Sequence, residues 1–148
     1  MVYSAITIAN KFIDLAKDKG KYLTNMQLQK MVYIAHGYNL ALRGTKLYYE
    51  DTRAWNFGPV VPELYEQLRQ YGSNEVTKSI GSDNAEELDE DSLEIVKAVY
   101  ENYKQYSGMQ LSNLTHKENT PWSKSWKNNK YGVIPADDIY ESYKNNRV

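Results

Sequence analysis

The chain has 148 residues, an ordinary length for one domain with its own core. Its apolar fraction of 41% and charged fraction of 25% exclude a wholly disordered or fibrous chain, and the absence of cysteine excludes disulfides, thiolate zinc sites and cysteine catalysis. A net charge of −1 gives no bulk attraction to nucleic acid, and no apolar run is long enough to span a membrane.

The N-terminus, Met1-Val2-Tyr3-Ser4-Ala5-Ile6-Thr7, lacks a basic stretch followed by an apolar run. No signal peptide is expected, and the chain is placed in the cytoplasm. Ile6, Ala9, Ile13 and Ala16 recur at helical spacing, with Ile8, Phe12 and Leu15 widening the stripe. They predict a helix over 4–19 that stops at Gly20. Thr24-Asn25-Met26-Gln27 reads as a capping box and opens a second helix over 25–43, ending near Gly44. Its middle, 31–35, is apolar nearly all round, the mark of a central, buried helix. Leu47-Tyr48-Tyr49 and Arg53-Ala54-Trp55, on either side of Glu50-Asp51-Thr52, predict a small hairpin. Asn56-Phe57-Gly58-Pro59 breaks the chain, and Pro62 opens a third helix that runs to about Tyr71. Residues 76–80 are a candidate third strand.

Residues 1–74 hold 9 basic and 6 acidic side chains, net +3, whereas 75–148 hold 9 basic and 13 acidic, net −4. Asp83, Glu86, Glu87, Asp89, Glu90, Asp91 and Glu94 produce most of this asymmetry. The run reads either as a solvated loop entering a helix N-terminus or as an acidic surface that attracts a basic partner. A fourth helix is predicted from about Asp91 to Tyr106. Ser107 caps a fifth, from Met109 to about His116; Thr120 and Pro121 start another; Pro135 starts the last, which carries Ile139, Tyr140 and Tyr143. The fold is therefore predicted to be mainly α, a single compact domain over 1–148. It has about six or seven helices with a small antiparallel hairpin or three-stranded sheet. The 14 tyrosines against 2 phenylalanines suit a binding surface or the wet edges of a small core.

His36 and His116 are the two histidines, with no paired-histidine motif. The glycines form neither a phosphate-binding loop nor a nucleophile elbow. No catalytic residue, metal or cofactor is expected. The second helix starts with Asn25, Gln27, Gln29 and Lys30 but becomes too apolar to lie in a DNA groove. Residues 117–130 place Lys117, Lys124, Lys127 and Lys130 beside Trp122 and Trp126, either as an amphipathic helix with its indoles inward or as a platform for single-stranded nucleic acid. Nucleic acid and membrane are not the expected partners.

Three segments stand out. They are Leu28-Gln29-Lys30-Met31-Val32-Tyr33-Ile34-Ala35-His36-Gly37, Trp55-Asn56-Phe57-Gly58-Pro59-Val60-Val61-Pro62-Glu63-Leu64-Tyr65, and Leu111-Ser112-Asn113-Leu114-Thr115-His116 followed by Pro121-Trp122. In this order and spacing, over roughly 5–128, the chain resembles the Panacea domain of SocA-like antitoxins and GepA-like phage-associated proteins. The resemblance implies a compact helical domain, the antitoxin of a type II-like toxin–antitoxin system. It would neutralise a protein toxin encoded by a neighbouring gene through direct binding. One branch implies instead an adaptor that delivers its partner to a protease, or a phage protein that binds a host protein. Because the similarity begins almost at residue 1, an appended DNA-binding region for autoregulation is not expected.

The matched residues have a reading of their own. Gly58 and Pro59 fix a sharp turn flanked by Trp55 and Phe57. Trp55 is either a core anchor or part of a toxin-facing surface. Tyr65 is placed to hydrogen-bond to Thr115 or His116, and His116 to hold a helix end by bonding a carbonyl at the Gly58 corner. Lys30 either snorkels outward or pairs with Glu63. Together with Trp122, these residues are expected to converge on one groove, as shared core or as the site that grips the toxin.

Overall fold

The computed structural model describes residues 1–81 and 86–145. Among these residues the chain forms seven α-helices and two small antiparallel sheets of two strands each. Helix α1 (Ala5–Asp18) starts where the Ser4 hydroxyl accepts from the Thr7 amide, and it buries Ile8, Phe12 and Ile13. Helix α2 (Asn25–Arg43) starts at the expected capping box: Thr24 Oγ1 accepts from the Gln27 amide, and Gln27 Oε1 accepts from the Thr24 amide at 2.9 Å. Every residue of α2 from Leu28 to Gly37 is buried. The helix is central because α1, α4 (Glu90–Tyr103), α5 (Gly108–Thr115) and α7 (Ala136–Lys144) all pack around it. At Gly37 the Tyr143 ring of α7 lies so near that an added Cβ would be 2.5 Å from it. That contact explains a glycine in the middle of a helix, where it otherwise costs stability.

The remaining elements are β1 (Leu23–Thr24), β2 (Arg53–Trp55), β3 (Gly58–Val60), α3 (Pro62–Leu68) with a 3-10 turn at Arg69–Tyr71, β4 (Glu75–Val76) and α6 (Pro121–Asn128). Strand β1 pairs with β4, and β2 pairs with β3 through Arg53 to Val60, Ala54 to Pro59 and Trp55 to Gly58. The outer edge of β2 is covered by the 131–134 segment, where Tyr131 N–H donates to Ala54 O and Ala54 N–H to Gly132 O, each at 2.9 Å.

Two sheet expectations are corrected. Residues 47–49 do not pair with 53–55, because their amides are engaged elsewhere. Tyr49 N–H donates to Tyr3 O at 3.1 Å, and His36 Nδ1 accepts from the Leu47 and Tyr48 amides at 3.2 and 3.4 Å. The neighbouring Glu50 carboxylate takes the Ala5 amide at the start of α1. The hairpin forms one step later instead, with Asn56-Phe57 as its two-residue turn. The candidate strand at 76–80 shortens to Glu75–Val76 and joins β1, so no three-stranded sheet arises.

The acidic run does lead into a helix N-terminus. Asp89 caps α4, accepting from the Ser92 amide at 2.8 Å and from the Tyr3 hydroxyl at 2.9 Å. The Ser92 amide, aided by Tyr3 and Arg43, holds its carboxyl below the usual carboxylate range. Asp83, at the start of the run, lies outside the described residues. In α6, Trp122 is buried and stacks on the half-buried Trp126, so the basic stretch is an amphipathic helix with its indoles inward. No helix among the described residues is long and apolar enough to cross a membrane.

Candidate functional site: a groove at the hairpin tip

The β2–β3 turn is held from behind by side chains of three helices. Gly58 has φ +113°, a conformation that L side chains rarely adopt. An added Cβ would also lie 3.2 Å from Lys30 Cε and 3.3 Å from Thr115 Oγ1. Glycine is therefore needed there for both backbone and space. From α2, Lys30 Nζ donates to the Pro59 carbonyl at 3.0 Å and Gln29 Oε1 accepts from the Val61 amide at 3.2 Å. From α5, the Ser112 hydroxyl donates to the Phe57 carbonyl at 2.5 Å. From α6, Trp122 Nε1 donates to the Trp55 carbonyl at 2.6 Å. The carbonyls of Trp55, Phe57 and Pro59 and the amide of Val61 are thereby all engaged by side chains behind the hairpin.

In front of this scaffold lies a groove of about 650 Å³. Its floor includes Asn25, Gln29 and Lys30; Met26, Trp55, Val60 and Tyr65 line it; Phe57 and Met109 border it. The Trp55 and Tyr65 rings meet edge to face, with centroids 5.2 Å apart. Phe57 and Met109 are each 54% exposed. Lys30 is only 2% exposed, and no carboxylate lies within ion-pair distance of it among the described residues. Burial lowers its amine to about 7, because removing the ammonium from water is costly and the Pro59 carbonyl is no counter-charge. Two further floor atoms, Asn25 Oδ1 and Gln29 Nε2, are buried with no hydrogen-bond partner.

All nine residues singled out in the sequence meet at this hairpin, but they divide. Lys30, Trp55, Phe57 and Tyr65 line the groove, whereas Gly58, Pro59, Thr115, His116 and Trp122 stand behind it. Several expected contacts are replaced. Lys30 neither snorkels outward nor pairs with Glu63, because the Pro59 carbonyl takes its amine inside. Tyr65 packs on Trp55 rather than bonding Thr115 or His116. His116 holds the end of α5 through the Ser112 carbonyl, not one from the Gly58 corner, and its ring packs edge-on to Trp122 at 5.2 Å. Thr115 donates to the Leu111 carbonyl within α5. Gln29, Ser112 and Met109 were missed. Gln29 carries a usable signal, as a polar residue entering a mostly apolar helical run; Ser112, among Gln110, Asn113 and Thr115, and Met109 carry none.

The chain matches the family described as Antitoxin SocA-like, Panacea domain, over residues 28–123. It is 30% identical over 127 residues to the antitoxin SocA of Caulobacter vibrioides (strain NA1000 / CB15N), covering 80% of this chain and 68% of that one. No solved structure matches it significantly. The matched span holds Gln29, Lys30, the whole hairpin, Ser112 and Trp122. On the family match and this identity, the chain belongs to the SocA-like, Panacea-domain antitoxin family.

Proposed function

We propose that this protein is an antitoxin that neutralises a protein toxin encoded by a neighbouring gene, gripping it with the face around the groove. The observation that carries the reading is the border of the groove. Phe57 and Met109 are large, apolar and more than half exposed, and Phe57 sits on a turn whose backbone is tied down by Ser112 and Trp122. Exposed apolar anchors on an ordered scaffold are what a protein interface uses as hot spots, since little entropy is lost on binding. Family membership and the SocA relative support the antitoxin role. A tight complex buries on the order of 1,600 Å² in total, so the contact face extends past the groove. Occluding a toxin's working surface needs no chemistry from the antitoxin.

The test is growth rescue. The neighbouring open reading frame is induced with this protein or with its Phe57→Asp/Met109→Asp variant. Wild type restores growth. The variant stays folded but fails to rescue, and its complex weakens by about 30-fold or more, the loss of a hot spot worth ~2 kcal/mol. A harmless neighbour, or full rescue by the variant, refutes the reading. Rescue that vanishes only in a host lacking the relevant protease assigns the adaptor role instead.

A further inference from the structure

The floor of the groove carries more hydrogen-bonding capacity than the fold uses. Lys30 Nζ gives one hydrogen bond, to the Pro59 carbonyl, and makes no other among the described residues. Gln29 uses its carbonyl oxygen on the Val61 amide and leaves its Nε2 without an acceptor. Both side chains are at least nine-tenths buried and both line the groove. Two neighbouring residues with spare N–H donors therefore line the groove, one of them a potential cation, and no acidic residue lines it. Such a site is unsatisfied in the free protein. A buried donor without an acceptor is costly, and a buried ammonium without a counter-charge more so. A neutral amide could satisfy Gln29 alone. Only an anion also compensates Lys30.

We propose that the groove receives a segment of the bound toxin in which an acidic side chain, Glu or Asp, neighbours an apolar one. The carboxylate accepts from Lys30 Nζ and Gln29 Nε2, and the apolar neighbour packs on Met26, Trp55 and Met109. Asn25 Oδ1, the unpartnered acceptor on the same floor, takes a backbone N–H of that segment. The mode resembles other peptide grooves, in which main-chain bonds give affinity and a pocket gives choice. This assignment rests on the toxin-facing reading of the groove.

The probes are acetyl-Leu-Glu-Leu-amide and its Gln counterpart, titrated by NMR into the full-length protein. The Glu peptide shifts the signals of Lys30, Gln29 and Met109 and binds at least about tenfold tighter than the Gln peptide, the effect of one charge-assisted pair. Lys30→Met abolishes that preference. Gln29→Glu abolishes it too, by a different route: it keeps the acceptor for the Val61 amide and hands Lys30 an internal anion. Equal binding of the two peptides, no binding of either, or a preference that survives Lys30→Met overturns the proposal. The two readings fail separately. If the toxin is bound and neutralised equally well by wild type and Lys30→Met, the acidic anchor is wrong and the antitoxin role stands. If the peptides are discriminated but the neighbouring protein is not bound, the antitoxin role is what fails.

Discussion

Lys30→Met is expected to stabilise the free protein at neutral pH and to destabilise it in alkali. In the unfolded chain the amine keeps its ordinary value of 10.5, while in the fold it lies at about 7. Between those values the unfolded state binds the extra proton, so stability rises with pH there and the penalty is constant below about 7. At pH 7 the penalty of burying the amine is about 4 kcal/mol, and by pH 9.5 it has fallen to about 1 kcal/mol. Methionine fills similar space without this term, but it leaves the Pro59 carbonyl without the donor seen at 3.0 Å, a loss of roughly 2 kcal/mol. The variant is thus more stable than wild type by about 2 kcal/mol at pH 7 and less stable by about 1 kcal/mol at pH 9.5. Urea unfolding of both proteins at the two pH values measures the crossover, and all other titrating groups cancel in the difference. A gap that stays constant to within about 1 kcal/mol across this range refutes an uncompensated Lys30.

Acid should act through His36, whose Nδ1 accepts two backbone amides and whose ring stacks on Tyr48 with centroids 3.9 Å apart. Burial, with a smaller contribution from Lys46, lowers it from 6.5 to about 3. The unfolded chain takes up the proton first, so stability is complete above pH 6.5 and falls by about 2 kcal/mol by pH 5, as read from unfolding midpoints; His36→Gln flattens that fall. Gly37→Ala forces the Tyr143 ring away from α2 and costs about 2 kcal/mol in thermal or urea unfolding, although alanine is the better helix former. Replacing Glu86, Glu87, Glu90 and Asp91 by Gln and Asn lowers stability by about 1 kcal/mol, because Glu90 and Asp91 lose their interaction with the N-terminus of α4 while the exposed Glu86 and Glu87 contribute little. It slows association with a basic toxin severalfold at low salt and not at high salt, in stopped-flow measurements.

The helices were legible because their signals are local. Thr24 with Gln27, Ser107, and Thr120 before Pro121 each mark a start and each caps its helix as read, while the reciprocal acceptance by Gln110 from the Ser107 amide is added by the structure. The strands were not, because their partners are chosen at long range. Tyr48 has good strand chemistry, but its amide is taken by His36 and its ring is stacked there, and nothing in 47–55 announces that. Convergence of the site was legible from the three segments, yet the state of Lys30 was not. A lysine in an apolar run reads as a snorkelling side chain. Only the fold brings the Pro59 carbonyl, 29 positions away, to its amine.

The division of the site into front and back has a consequence for how such a protein can change partners. Gly58, Ser112 and Trp122 hold the hairpin by conformation and by hydrogen bonds to its carbonyls, so a substitution at any of them costs the fold. Phe57 makes no hydrogen bond with its side chain: its carbonyl is the group that Ser112 bonds, and the ring is more than half exposed at the edge of the groove. Met109 likewise projects from the first turn of α5. Both are replaced at a cost to stability of about 1 kcal/mol, while in the proposed complex binding at the same positions changes by about 2 kcal/mol or more. The residues that make the segments recognisable thus mostly build the platform, and much of the exposed apolar surface beside the groove is carried by side chains that make no hydrogen bond to it. The buried donors of Gln29 and Lys30 join the two layers, because the helix that fixes the hairpin also forms the floor proposed above to read a partner.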